Sequence, residues 1–291
     1  VDRMDETDKW KNLAPLNFAD YIDADDFLFE IDEFKQAKTI FHLGACSSTT
    51  ETDSDMMLRN NYQYTKELAV FAVKNGVRFI YASSAATYGD GSAGMADGAE
   101  GLEKLRPLNI YGYSKHLFDK YAAQKGMFDK IVGLKYFNVF GPNENHKGDM
   151  RSLVNKAFDQ IRQTGKLQLF RSHNPEFSDG EFGRDFVYVK DAVDMTLHFM
   201  ESGCGGLFNV GSGRMNTWNA LAEAIFKALD LPRNVEFVDM PVHLRDRYQY
   251  HTVADLSRIS AAGYTAETTP LDAAVADYIQ NYLIPGRHLG D

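Results

Sequence analysis

Short apolar runs alternate with longer helix-like stretches along most of this chain. Residues 39–44, Thr-Ile-Phe-His-Leu-Gly, predict a buried strand that ends in the small-residue stretch Gly44-Ala45-Cys46-Ser47. Residues 55–74 predict a long helix that Gly76 closes as a C-terminal stop. Residues 79–82, Phe-Ile-Tyr-Ala, are again apolar and end in Ser83-Ser84, followed by a glycine-rich loop over 89–101 and a helix around Tyr111. A further strand is expected over 130–137. Upstream, 16–19 reads as a short strand and 24–34 as a helix. This alternation predicts an α/β fold with a parallel sheet and helices on both faces.

After Pro142 the pattern loosens. A helix is expected over 150–163, set in loops rich in Asn, His, Gly and Asp. Strand and helix then return at 185–189, 191–200, 206–210 and 216–229, and a last helix spans 271–283. We expect a nucleotide-binding lobe from 1–140 plus 184–212. A smaller, discontinuous substrate lobe is expected from 141–183 plus 213–291, part of whose tail returns to the first lobe.

Composition narrows the function. The chain has 291 residues, 44% hydrophobic and 25% charged, as ordinary globular domains do. Its net charge of -10 argues against non-specific nucleic-acid binding but leaves room for an anionic small ligand held by local basic groups. Cys46 and Cys204 have no metal-ligand spacing and suggest no disulfide framework, which suits a reducing, cytoplasmic setting. No apolar run approaches the ~20 residues of a membrane span.

The candidate chemistry lies at Tyr111-Gly112-Tyr113-Ser114-Lys115. Tyrosine and lysine four residues apart share one helix face. A nearby ammonium is expected to draw the phenol down from its usual value of about 10, so that it exchanges a proton with a substrate alcohol. Tyr-x-x-x-Lys is common by chance; its position after the strand ending at Ser84 makes it informative. Ligands of open α/β sheets bind beyond the carboxyl ends of the strands. There Ser84 could hydrogen-bond the reacting oxygen, Tyr111 move its proton and Lys115 hold charge.

These residues resemble the extended short-chain dehydrogenase/reductase family, in particular its nucleotide-sugar epimerases and dehydratases. Ser84, Tyr111 and Lys115 match that family's triad, Tyr136-Phe-Asn-Val-Phe-Gly-Pro142 a second segment and Arg184-Asp-Phe-Val-Tyr-Val189 a third. The resemblance runs over essentially the whole chain and implies a Rossmann-type doubly wound sheet. Five segments narrow it: 42–50, 60–64, 108–115, 146–148 and Arg247-Tyr248-Gln249. They are similar to a branch that inverts C6 of an ADP-linked heptose by transient oxidation to a ketone with tightly bound NADP, in lipopolysaccharide core-sugar synthesis.

The resemblance implies roles position by position. Ser84, Tyr111, Lys115 and Lys147 are the catalytic candidates, Lys147 being either a second acid/base or a ligand-binding loop lysine. Asp2, Arg3 and Lys9 would surround the adenosine ribose; Asp2 favours NAD, and Arg3 or Lys9 favours NADP. Leu43, Gly44, Ala45, Cys46, Ser47, Asn60, Lys115, Val139 and Lys147 complete the cofactor set. Asn138, Asp149, Lys156, Phe170, Arg171, Ser172, His173, Arg184 and Tyr248 form the substrate set, with Arg184 the strongest candidate for a diphosphate. Taken singly, Arg171, Arg245 and Arg247 each read more readily as solvated surface. A homo-oligomer and a nucleotide-diphosphate sugar are the implied partners.

One departure is large. The family opens with a strand and a Gly-x-x-Gly-x-x-Gly loop that cradles the cofactor pyrophosphate, and nothing here matches it. Gly211-Ser212-Gly213 lies far downstream and lacks the third glycine. Val1-Asp2 resembles the end of the family's second strand, so a first βα unit is expected to be missing and cofactor binding by these residues alone to be weak. Competing readings are a 4-epimerase or 4,6-dehydratase and an inactive cofactor-binding or scaffold protein. Ala85-Ala86 after Ser84 argue against a dehydratase, which needs an acidic pair there. The intact triad argues against an inactive scaffold.

Overall fold

The computed structural model describes residues 1–245 and 248–291. Its elements, in chain order, are α1 (Ala24–Glu30), β1 (Thr39–His42), α2 (Ser54–Met57), α3 (Tyr64–Asn75), β2 (Arg78–Ser84), α4 (Ile110–Gln124), β3 (Ile131–Tyr136) and β4 (Asn138–Phe140). There follow α5 (Leu153–Thr164), β5 (Leu167–Phe170), β6 (Gly183–Tyr188), α6 (Val189–Glu201), β7 (Gly206–Val210), β8 (Met215–Thr217), α7 (Trp218–Ala228), β9 (Val235–Val238), α8 (Val242–Arg245), α9 (Ser257–Ala261) and α10 (Leu271–Tyr278).

The main sheet has the order β1-β2-β3-β7, with every pairing parallel. Side chains on a strand alternate between faces, and β2 shows the consequence. Phe79 and Tyr81 pack with Leu68, Phe71 and Phe118 of α3 and α4, whereas Ile80 packs with Met195 and Phe199 of α6. Both faces are covered, so the central strands read as continuous apolar runs. Register places Ser84 beside Tyr136 of β3. The carboxyl end of β2 thus opens onto the edge where ligands of such sheets bind.

A second core lies around α5, α7, α10, β5 and β6, built from residues such as Phe158, Ile161, Ile225 and Tyr278. Two small sheets, β4-β6-β8 and β5-β9, flank it.

The structure corrects two expectations of local form. Residues 16–19 form no strand; Leu16 and Phe18 are exposed, and Pro15, Asn17 and Asp20 favour the irregular path seen. The stretch 54–75 is helical throughout, but Leu58–Gln63 widens into a π-helical turn. Such turns often accompany functional sites, and this one carries Asn60 and Asn61.

Candidate active site

Ser84 ends β2 with an extended backbone, and its Oγ accepts the N–H of Ala86 at 3.1 Å, capping the 3-10 turn Ala85–Tyr88. Asn109 caps α4 by accepting the N–H of Gly112 at 2.8 Å, which places Tyr111 in the first helical turn. A Cβ at position 112 would lie 2.7 Å from the Ala86 carbonyl oxygen. Glycine is therefore what lets α4 approach the turn that carries Ser84, whose hydroxyl is near enough to the Tyr111 phenol to favour its ionised form. Gly112→Ala is expected to cost about 1–3 kcal/mol of stability through this overpacking and to lower turnover by parting Tyr111 from Ser84. Urea unfolding alongside an activity assay checks both effects.

Lys115 lies one turn further along α4, 3% exposed, and donates to the Ala82 carbonyl at 2.8 Å. Burial pushes it down to about 8, with the Asp119 carboxylate opposing. Burial pushes Tyr111 up, and the Ser84 hydrogen bond pulls it back. This corrects the expectation that Lys115 draws the phenol down. The ammonium is directed at a backbone carbonyl, while the phenol faces Ser84, so desolvation decides Tyr111.

The strip after β1 is the candidate cofactor floor. Leu43 is 53% exposed, and the space beside Gly44 is open for at least 4 Å. Ala45 and Ser47 are exposed and Cys46 half-buried. Asn61 holds this strip: its side chain accepts the N–H of Cys46 and donates to the Cys46 carbonyl, both at 2.9 Å, and donates to Ser114 Oγ of α4 at 3.0 Å. The sequence points to Asn60, not Asn61. The helix pattern gave no cue, because the π-turn is what rotates the fully buried Asn61 towards Cys46.

The N-terminal candidates meet. Lys9 pairs with Asp2, Arg3 pairs with Asp25, and Arg3 also donates to Asn60 Oδ1 at 3.2 Å. Val139 is half-buried on β4, against the core that includes Tyr136. An open apolar strip, a backbone glycine with free space and a nearby guanidinium suit a dinucleotide.

Arg184 of β6 is 7% exposed, with its guanidinium 4.9 Å from the Tyr248 ring and 6.0 Å from Trp218. Its hydrogen bond among the described residues runs from Nη1 to its neighbour's carbonyl, Gly183 O, at 3.2 Å. Trp218 was missed, since a tryptophan at a helix start reads as core; its buried Nε1 lacks an acceptor among the described residues. The extension of β5 joins this group. The N–H of Arg171 donates to Val238 O at 2.8 Å and that of His173 to Tyr250 Oη at 3.3 Å, while Ser172 is bound by Asp179. Phe170 ends β5, and Asn138 of β4 pairs with Phe186 of β6.

Other candidates stand apart. Asp149 and Lys156 are exposed and meet each other, Lys156 Nζ donating to the Asp149 carbonyl at 3.1 Å. Lys147 is exposed on the 3-10 segment Asn145–Met150, and among the described residues no hydrogen bond joins it to Ser84, Tyr111 or Lys115. Its neighbour His146 contacts Asn12 at 3.2 Å, which ties the segment to the N-terminal turn. Arg171 is exposed, and Arg245 donates to Met240 O at 3.0 Å. Arg247 lies outside the described residues.

Comparison with known proteins places this geometry. Residues 1–211 match the model of the NAD dependent epimerase/dehydratase family. The chain belongs to that family. A nicotinamide dinucleotide is accordingly its class of cofactor. The ADP-L-glycero-D-manno-heptose-6-epimerase of Nitratidesulfovibrio vulgaris strain Hildenborough is 45% identical over 287 residues, covering 97% of this chain and 89% of its own. That of Fusobacterium nucleatum is 42% identical over 296 residues with the same coverage. The crystal structure of the Helicobacter pylori enzyme of this name superposes with a TM-score of 0.72 at 26% identity, covering 87% of this chain and 76% of its own. Among the described residues no helix is long and apolar enough to cross a membrane.

Proposed function

We propose that this protein converts ADP-D-glycero-D-manno-heptose to its L-glycero form by inversion at C6, for lipopolysaccharide core-sugar synthesis. The observation that carries this reading is the grouping of Ser84, Tyr111 and Lys115 on the ligand edge of the sheet, in a chain 45% identical along nearly its whole length to an enzyme of that name.

A bound nicotinamide supplies reversible hydride exchange at C6, which is what makes a transient ketone accessible. The residues here manage the proton and the position. Tyr111 takes the C6 hydroxyl proton on one face as that oxygen becomes carbonyl. Ser84 donates to the same oxygen and holds the phenol in line. Lys115, one turn further along α4, is the cation of the site and has further N–H groups for a ribose. Arg184, walled by Tyr248 and Trp218, grips the diphosphate. For the cofactor, NADP is favoured over NAD. Lys9 and Arg3 set two cations here, paired with Asp2 and Asp25, and Arg3 beside Asn60 suits a 2′-phosphate.

Inversion asks for proton transfer on a second face of the sugar, and Lys147 is the proposed carrier. Lys147→Ala is expected to leave the fold intact and to lower epimerisation on the order of 10²-fold, as loss of a general acid/base does. A wild-type rate in this variant would end the two-base reading. The overall function is tested by incubating full-length protein and NADP with ADP-D-glycero-D-manno-heptose and following the C6 signals by NMR. Appearance of the L-glycero isomer supports it; an unchanged spectrum, or conversion only of a sugar that lacks C7, refutes it.

A further inference from the structure

Tyr111, Lys115 and Asp119 follow one another at four-residue intervals along one side of α4. Asp119 is fully buried beneath the helix, over two adjacent strands of the sheet. Tyr81 Oη and Ser83 Oγ of β2 each donate to its carboxylate at 2.7 Å. Lys135 Nζ of β3, cross-strand partner of Ser83, lies 3.6 Å away and donates to Thr87 Oγ1 at 2.8 Å. The strand backbone is shaped for this: a Cβ at Gly133 would lie 2.5 Å from Tyr81 Oη, so glycine makes the room in which that phenol reaches Asp119. Family membership does not assign this cluster, and the mechanism above does not use it.

Resting on the functional reading above, we propose that Asp119 is a positioning residue for the Tyr111–Lys115 pair: its buried carboxylate is the counter-charge that keeps Lys115 a cation within the sheet. The charge balance supports this. Lys115 and Lys135 are both buried, and Asp119 is the carboxylate that pairs with Lys135 at 3.6 Å and lies one helical turn from Lys115. Burial alone drives both lysines down, and Asp119 opposes that for each. Other groups facing the pair do not substitute for it. His42 of β1 is held neutral at about 3 by burial and Lys115, and Tyr81 is raised by burial and Asp119. Tyr88 lends its ring face to Lys135, and Asp97, near Arg258, acts on Lys135 from further off. Cys46 bears on Tyr111 from the strip after β1.

The test is Asp119→Asn, which keeps shape and removes charge. Titration of Lys115 is followed by NMR on protein carrying carbon-13 lysine, with the signal assigned through Lys115→Arg. The expected result is a titration about one to three pH units below wild type. The point where the kcat profile stops climbing moves down with it, activity is lost on the alkaline side only, and KM holds. Asp119→Glu restores the wild-type titration. Should the asparagine variant not fold, Asp119→Ser takes its place with the same readouts. An unmoved Lys115 titration in a folded neutral variant overturns the proposal, and so does a loss of kcat equal at every pH. The titration needs no substrate, so failure of the heptose assay would refute the functional reading and leave this test standing.

Discussion

Tyr111→Phe is expected to abolish most of the activity and to leave the protein folded: epimerisation should fall on the order of 10²–10⁴-fold, the usual loss for a positioned acid/base. The variant retains the ring, which is only partly buried in the first turn of α4. What it loses is one hydroxyl beside Ser84, worth no more than a single hydrogen bond of about 1 kcal/mol, while the Asn109 cap and the close packing at Gly112 are untouched. The pH profile discriminates this role from simple packing. Tyr111 is raised by burial, so at neutral pH the phenol holds its proton and the competent tyrosinate is scarce. Wild-type rate therefore climbs with pH as the phenol ionises. It levels off near 8, where Lys115 loses its charge and further ionisation of the phenol is offset. The phenylalanine variant lacks the rising limb and gives a flat, low profile. Circular dichroism and a stopped assay from pH 6 to 10, all within reach of about 10 for an ordinary phenol, check both halves. Full activity in this variant would remove Tyr111, and with it the whole arrangement around Ser84, from the chemistry.

The parallel sheet was legible because β1, β2, β3 and β7 lie between covering helices and their residues run apolar without interruption. The Tyr111–Lys115 spacing was legible for a similarly local reason, since a helix brings such positions together whatever surrounds it. Three features depended on what surrounds the chain. Asn61 reaches Cys46 only because of the π-turn. Asp119 reads as an ordinary polar helix position until Tyr81 and Ser83 are placed beneath it. The direction of the Tyr111 shift depends on burial, which a spacing rule does not register. The mistaken strand at 16–19 has the opposite origin: Leu16 and Phe18 look like strand residues, yet they lie exposed with no strand beside them.

Arg184→Met separates stability from binding, and the two effects should have opposite signs. The Arg184 guanidinium carries five N–H groups and keeps its charge in a protein. It is buried against the Tyr248 and Trp218 rings. Its one hydrogen bond among the described residues goes to a backbone carbonyl at 3.2 Å. A buried cation so sparsely satisfied is costly to the folded protein. Methionine is flexible enough to fill the slot between the Tyr248 and Trp218 rings without that cost. The unfolding midpoint of the protein alone is therefore expected to hold or rise. Affinity for ADP should fall, because the diphosphate loses a desolvated, bidentate partner: about 2–5 kcal/mol, on the order of 30-fold or more in Kd. Arg184→Lys should fall between, since it retains a charge and loses the planar fork. Calorimetric titration with ADP, paired with thermal unfolding with and without it, reads both quantities. Wild-type protein gains stability from saturating ADP, and the methionine variant gains little. A variant that binds ADP as tightly as wild type but melts earlier would make Arg184 a packing residue, and the diphosphate would have to be sought elsewhere along the β4–β6 edge.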